Sequence, residues 1–174
     1  MATEQRLSQL ADRLAIEEVL ARYCRGIDRC DAQELARVFT EDAVIDFGDG
    51  PKLRDETIAE LMEGLGAMRL TQHNIGNFLC EIEGDRARAE TYCVAYHFLP
   101  SEEGEVELVV GGRYLDRLVR ISGQWRIAGR LYVMDWNRQS PSTMQTQGGL
   151  FDTLLRRGAR HPDDPSYRWW AEPD

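Results

Sequence analysis

The sequence is poor in the residues that carry most enzymatic chemistry. Among 174 residues there are three histidines, four cysteines and six prolines. Cys24, Cys30, Cys80 and Cys93 form no CxxC pair, so neither a zinc ribbon nor a thioredoxin-like redox pair is expected. Basic charge is also scarce: 21 Lys plus Arg against 30 Asp plus Glu leave a net charge of -9. A surface that tracks phosphates needs clustered cations, so neither nucleic acid nor an anionic membrane is expected as a main partner. No apolar run approaches the roughly 18 residues of a membrane span. The opening MATEQRLSQLADRLAIEEVL is charged throughout and lacks the apolar core of a secretory signal. A cytoplasmic protein with reduced thiols is the expectation. Walker A, nucleophile-elbow and HExxH patterns are missing too, which argues against phosphate cradles, serine nucleophiles and zinc hydrolysis. No cofactor and no metal are expected, which leaves acid–base work by side chains alone.

What is present is an ordinary globular composition, 43% hydrophobic and 29% charged, with enough chain for one domain. Leu7, Leu10, Ala11, Leu14, Val19, Leu20, Tyr23 and Ile27 recur at three- and four-residue steps. That spacing predicts an amphipathic helix from Leu7 to Ile27, ending around Gly26 and Asp28. Asp31-Ala-Gln-Glu34 reads as a capping box for a short second helix, with Leu35, Val38 and Phe39 as its apolar face. Ala43 to Phe47 is strand-like, Gly48 to Pro51 a turn, and Ile58, Leu61, Met62 and Leu65 mark a third helix. After Leu70 the pattern becomes that of strands at 71–83, 86–99, 105–121 and 124–136. Gly111-Gly112 suggests a bulge and Ser122-Gly123 a tight hairpin turn. The expectation is an α+β fold, helices segregated onto one face of a curved antiparallel sheet. Residues 1–138 form the domain and 139–174 an extension. Trp169 and Trp170 in that extension suggest packing on the domain, over its pocket or on a neighbouring subunit.

Few side chains can then do chemistry. His161 lies in the proline-rich tail, where solvent is its natural surrounding. His73, in TQHNIGN, opens a long strand where an imidazole can face a cavity between sheet and helices. His97 sits beside Tyr96 and Phe98 on the next strand, and its plain reading is a strand-end residue. Asp28 follows the core-facing stripe of the first helix although Asp31 already supplies the next cap. Tyr23 precedes it by five residues, about 140° past one full turn at about 100° per residue; the two share a pocket only if the helix loosens near Gly26.

The segment RLSQLADRLAIEEVLARYCRGIDRCDAQELARVFTEDAVIDF, with TQHNIGN and the GQWRI hairpin, resembles SnoaL-like proteins of the nuclear transport factor 2-like superfamily over about residues 5–138. The resemblance implies a cone-shaped α+β barrel. It also implies the chemistry of scytalone dehydratase, bile-acid 7α-dehydratase and hexachlorocyclohexane dehydrochlorinase, in which a His–Asp dyad removes a proton as hydroxide or chloride departs. By that resemblance Asp28 and His73 match the dyad and Tyr23 an active-site tyrosine. His97 matches a second polar pocket residue. Met134 falls where the bile-acid enzyme has arginine, and Arg130, on the same strand face, is the substitute. The implied activity is a cofactor-independent dehydratase for a hydrophobic, hydroxylated, steroid- or polyketide-like substrate. The alternatives are a ketosteroid-type isomerase using the same residues, or a non-catalytic ligand-binding protein. On β-strand alternation, Tyr92, Val94, Tyr96 and Phe98 oppose Cys93, Ala95 and His97, so both sheet faces look covered and a homo-oligomer, dimer or trimer, is expected.

Overall fold

A computed structural model describes residues 2–172. A long helix α1 (Ala2–Arg29) is followed by α2 (Ala32–Val38), β1 (Phe39–Asp46), β2 (Pro51–Leu53) and α3 (Arg54–Gly66). The chain then runs through four long strands, β3 (Leu70–Glu83), β4 (Arg86–Ser101), β5 (Gly104–Ile121) and β6 (Gln124–Pro141). A 3₁₀ turn (Gly149–Asp152) and α4 (Pro165–Ala171) complete the described chain.

The strands form one six-stranded sheet in the order β2-β1-β6-β5-β4-β3. This is an α+β fold, with two departures from expectation. The sheet is mixed, because β1 lies parallel to β6 while every other pairing is antiparallel. It is also open, since β2 and β3 are its two edges. Its curvature has local causes. Register shifts occur between Gly111 and Gly112, between Arg117 and Leu118, and between Ile75 and Phe78. At Gly112 a Cβ would stand 2.4 Å from the Val133 carbonyl oxygen, so the bulge requires glycine there. Ser122 and Gly123 turn the β5–β6 hairpin with φ of 51° and 80°, both left-handed as a two-residue hairpin demands.

Helix α1 ends three residues beyond Gly26. The Asp31 N–H bonds the Gly26 carbonyl at 2.8 Å and the Cys30 N–H bonds that of Ile27 at 3.1 Å. Cys30 has φ 50°. This is a Schellman termination with cysteine at the left-handed position usually held by glycine. Gly26 serves close packing instead: a Cβ would meet Leu35 Cδ2 of α2 at 2.8 Å. Asp31 caps α2 through the Glu34 N–H, as expected. The reciprocal half of the capping box is not made, because Glu34 turns its carboxylate to Arg22 and Arg37.

The core lies between the helices and the inner sheet face. Ile16, Leu20, Tyr23 and Ile27 of α1 pack with Leu35, Phe39 and Ile45 against Ala89, Cys93, Tyr114, Leu118 and Ile127. Each such aliphatic side chain contributes about 1.5–3 kcal/mol on burial. Leu7, Leu10 and Leu14 of the sequence stripe are exposed; at that level the helix meets the sheet through Asp12, which accepts from Trp125 Nε1, and Arg13, which donates to the Phe78 carbonyl.

Candidate active site

Strand register decides which residues meet. On the inner face, Thr71 lies opposite His97 and His97 opposite Leu108. His73 lies opposite Ala95, and Ile75 opposite Cys93. His73 and His97 are thus diagonal neighbours, their rings 5.5 Å apart and edge to face. A second inner row runs Ile45, Arg130, Asp116, Ala89, Cys80 across five strands.

Asp28 reaches the first group from the last turn of α1. Its Oδ1 lies 2.7 Å from the His73 ring Nδ1 and its Oδ2 accepts the His73 backbone N–H at 2.9 Å. One carboxylate therefore fixes both the strand and the ring, leaving Nε2 as the ring's free nitrogen. The two side chains are 12% and 8% exposed. Water competes weakly at that depth, and a hydrogen bond to a charged group is correspondingly strong. The His97 Nδ1 is buried with no hydrogen-bond partner. Burial and the neighbouring His73 hold the His97 proton affinity below the ordinary histidine value, against a smaller opposing pull from the Leu108 backbone.

Tyr23 and Arg130 meet in an adjoining cluster. The Arg130 guanidinium makes a two-point pair with Asp116 at 2.7 and 2.8 Å. It lies 3.9 Å from the Tyr23 ring centre and 4.0 Å from that of Tyr114. Both charged side chains are 0% exposed, and Arg130 Nη1 has no partner. Burial pushes the Tyr23 phenol well above its ordinary range, opposed by Arg130, so its hydroxyl stays protonated and able to donate. Because α1 is regular through Arg29, Tyr23 and Asp28 face different neighbours. Cys24 and Cys93 lie in the buried core, and the charges of Arg130 and Asp28 both act on each thiol. Burial pushes Cys24 up to about 12 and Cys93 upward, so neither is a thiolate nucleophile near neutral pH. Among the described residues no group of three or more His, Cys, Asp or Glu is arranged to hold a metal ion.

Met134 is half exposed. His161 is exposed and rests edge-on against Tyr167 at 4.8 Å. A recess of about 350 Å³ opens between α3 and β1–β2, walled by Ile45, Phe47, Leu61, Leu65 and Met68. Its wall does not include the dyad. Sequence reasoning missed Asp116, which only cross-strand register sets opposite Arg130, and Tyr114, whose ring lies against the same guanidinium. It also missed Arg160, whose guanidinium reaches the Asp28 carbonyl and Thr71.

Comparisons with known proteins agree with this architecture. Residues 8–131 match the SnoaL-like domain family. An uncharacterized protein of Mycobacterium tuberculosis is 32% identical over 132 residues, covering 72% of this chain and 86% of its own. A solved structure provisionally named a scytalone dehydratase, from Novosphingobium aromaticivorans, aligns with a TM-score of 0.67 at 24% identity, over 80% of this chain and 97% of that one. A hexachlorocyclohexane dehydrochlorinase from Novosphingobium barchaimii aligns with a TM-score of 0.69 at 20% identity, over 78% and 94%. No helix of the described residues is long and apolar enough to cross a membrane.

Proposed function

The chain belongs to the SnoaL-like domain family, and from that premise we propose that it is a cofactor-independent dehydratase for a hydrophobic, hydroxylated substrate of steroid or polyketide type. The observation that carries this reading is the two-point hold of Asp28 on His73. A carboxylate accepting the Nδ1 proton fixes the tautomer in which Nε2 is the base, and stabilises the imidazolium once a proton arrives. His73 Nε2 takes the proton from carbon next to a carbonyl group. The C–H electron pair becomes the new C=C bond as the neighbouring C–O bond breaks. The departing hydroxide takes the proton back from His73 and leaves as water, so the imidazole is regenerated.

His97, buried and held toward its neutral form, binds the substrate oxygen through its unpartnered nitrogen. Tyr23, walled in by Phe39, Tyr114 and Arg130 on a regular α1, takes no part in this step. The similar folds of a dehydrochlorinase and a provisionally named dehydratase support elimination chemistry. The half-exposed Tyr92, Leu131 and Trp136 support covering of the outer sheet face in a homo-oligomer, which light scattering would report. The unpaired cysteines favour the cytoplasm.

The test is a panel of β-hydroxy carbonyl steroids and polyketides incubated with the protein and read by mass spectrometry. Loss of one water mass, abolished in His73→Ala, is expected. A product of unchanged mass would instead identify a double-bond isomerase. Tight binding without turnover, unaffected by neutralising both His73 and Asp28, would reject catalysis.

A further inference from the structure

The C-terminal tail returns to the dyad. After β6 the chain passes the 3₁₀ turn and places Arg160 between the ends of α1, α3 and β3. Its Nη1 donates to the Asp28 carbonyl at 2.7 Å and to Thr71 Oγ1 at 3.1 Å. Its Nη2 donates to the carbonyls of Leu65 at 3.0 Å and Met68 at 3.3 Å. The four Nη hydrogens of one guanidinium thus meet four oxygens, from α1, α3, β3 and the α3–β3 turn. Two of these sites, Asp28 and Leu65, lie in the last turns of α1 and α3, where carbonyls lack intrahelical donors and a cation is favoured. Thr71 stands two residues before His73 on the inner face of β3.

The rest of the tail holds Arg160 in place. The His161 N–H caps the Arg29 carbonyl at 2.6 Å. Asp164 pairs with Arg29 at 3.1 Å and accepts the Ala159 N–H at 2.9 Å. The Tyr167 hydroxyl donates to Asp31 Oδ2 at 2.8 Å, and Arg25 stacks on the Tyr167 and Trp170 rings, each at 4.5 Å.

We infer that Arg160 is a positioning residue for the Asp28–His73 pair: it ties the backbone that carries Asp28 to the strand that carries His73, so docking of the C-terminal tail sets their separation. The inference rests on the dyad reading above. It differs from simple tail anchoring because, among the described tail residues, Arg160 alone is hydrogen-bonded to both the Asp28 backbone and the His73 strand. A lysine keeps the charge but has no planar fork with which to reach four oxygens spread over α1, α3, β3 and the α3–β3 turn.

The test is the tautomer of the His73 ring, read by long-range ¹⁵N–¹H NMR of the full-length protein above the histidine titration range. With three histidines in the chain, His→Gln variants assign the signals. Wild type should show His73 as the Nδ1–H tautomer, lost in Asp28→Asn. Arg160→Lys and Arg160→Gln should both convert His73 to a mixture of tautomers. Tyr167→Phe, which removes a tail anchor away from the dyad, should lower the melting temperature yet leave His73 unchanged. Wild-type His73 signals in both Arg160 variants would overturn the inference while leaving the dyad standing. A wild-type signal in Arg160→Lys alone would reduce the residue to a charge and likewise overturn the clamp. A wild-type protein without the Nδ1–H tautomer would bring down the dyad itself, and the inference with it.

Discussion

Asp28→Asn tests the proposed chemistry with the least disturbance of shape. The carboxylate receives two donors from one residue, the ring Nδ1 at 2.7 Å and the backbone N–H at 2.9 Å, and an ionised carboxylate only accepts. An amide of the same shape offers one acceptor and one donor. With its oxygen toward the ring, its NH₂ meets the backbone N–H donor to donor. With its oxygen on the backbone N–H, its NH₂ donates to Nδ1 and moves the ring proton to Nε2. The second arrangement keeps both hydrogen bonds and is the expected one. The variant therefore folds, losing the charge-assisted part of one hydrogen bond, about 1–2 kcal/mol. Turnover suffers far more, because the base nitrogen now carries a proton. Loss of a positioned base costs about 10²–10⁴ in rate, and an imidazole in the wrong tautomer lies at the upper end. That is about 3–5 kcal/mol on the barrier. The assay is kcat/KM on a substrate from the panel, with circular dichroism and a urea titration to confirm the fold. A folded Asp28→Asn protein within tenfold of wild-type kcat/KM would refute the reasoning.

Three further outcomes are expected. His97 has its proton affinity lowered in the folded state by burial and His73, so between that value and about 6.5 the unfolded chain binds more protons. Wild-type stability should fall as pH drops through this window, and His97→Asn should flatten the dependence; urea titrations at pH 8 and pH 5 measure both, and equal slopes would count against it. Arg130→Met strands the Asp116 carboxylate at 0% side-chain exposure and should cost about 3–5 kcal/mol. Arg130→Met with Asp116→Leu should cost less than the single change, and a double-mutant cycle that found simple addition would contradict this. Gly112→Ala, which meets a backbone oxygen at 2.4 Å, should destabilise more than Gly111→Ala, whose nearest atom is the movable Trp136 indole at 2.1 Å; overpacking costs about 1–3 kcal/mol, and thermal melts rank the pair.

The parts of the fold written in the sequence are those set by local pattern. Helix periodicity, the Asp31 cap, the Gly111-Gly112 bulge and the Ser122-Gly123 turn depend on neighbours a few residues apart. The parallel pairing of β1 with β6 does not: Ile45 meets Arg130 across 85 positions, and no short-range feature announces it. The end of α1 was obscured because a cysteine holds a conformation normally given to glycine. Leu7, Leu10 and Leu14 fit the apolar spacing but lie exposed, because at that level Asp12 and Arg13 are the residues that meet the sheet. At the site, His73 and Asp28 were legible as chemistry-bearing residues in odd places. Asp116 was not, because its meaning comes from standing opposite Arg130. Arg160 had no local signal at all, since it acts on backbone carbonyls that look alike in any sequence.

In the proposed reaction the distribution of charge decides what the dyad does electrically. Helix α1 advances about 1.5 Å per residue, so Tyr23 and Asp28 sit about 7.5 Å apart along one axis and face different rooms. In the Tyr23 room the Arg130 cation is matched by Asp116, and the pair presents little net field beyond its own contacts. Behind Asp28, the Arg160 cation lies against carbonyls in the last turns of α1 and α3, where the negative ends of two helix dipoles offset it. The Arg29 cation is taken up by Asp164. Asp28 is then the charge left facing His73. A neutral imidazole beside it gains little, whereas an imidazolium 2.7 Å away gains a close opposite charge at low exposure. In the proposed elimination the charge that develops on the ring as a proton leaves the substrate thus forms beside an opposite charge at low exposure, and stabilisation confined to that moment lowers a barrier.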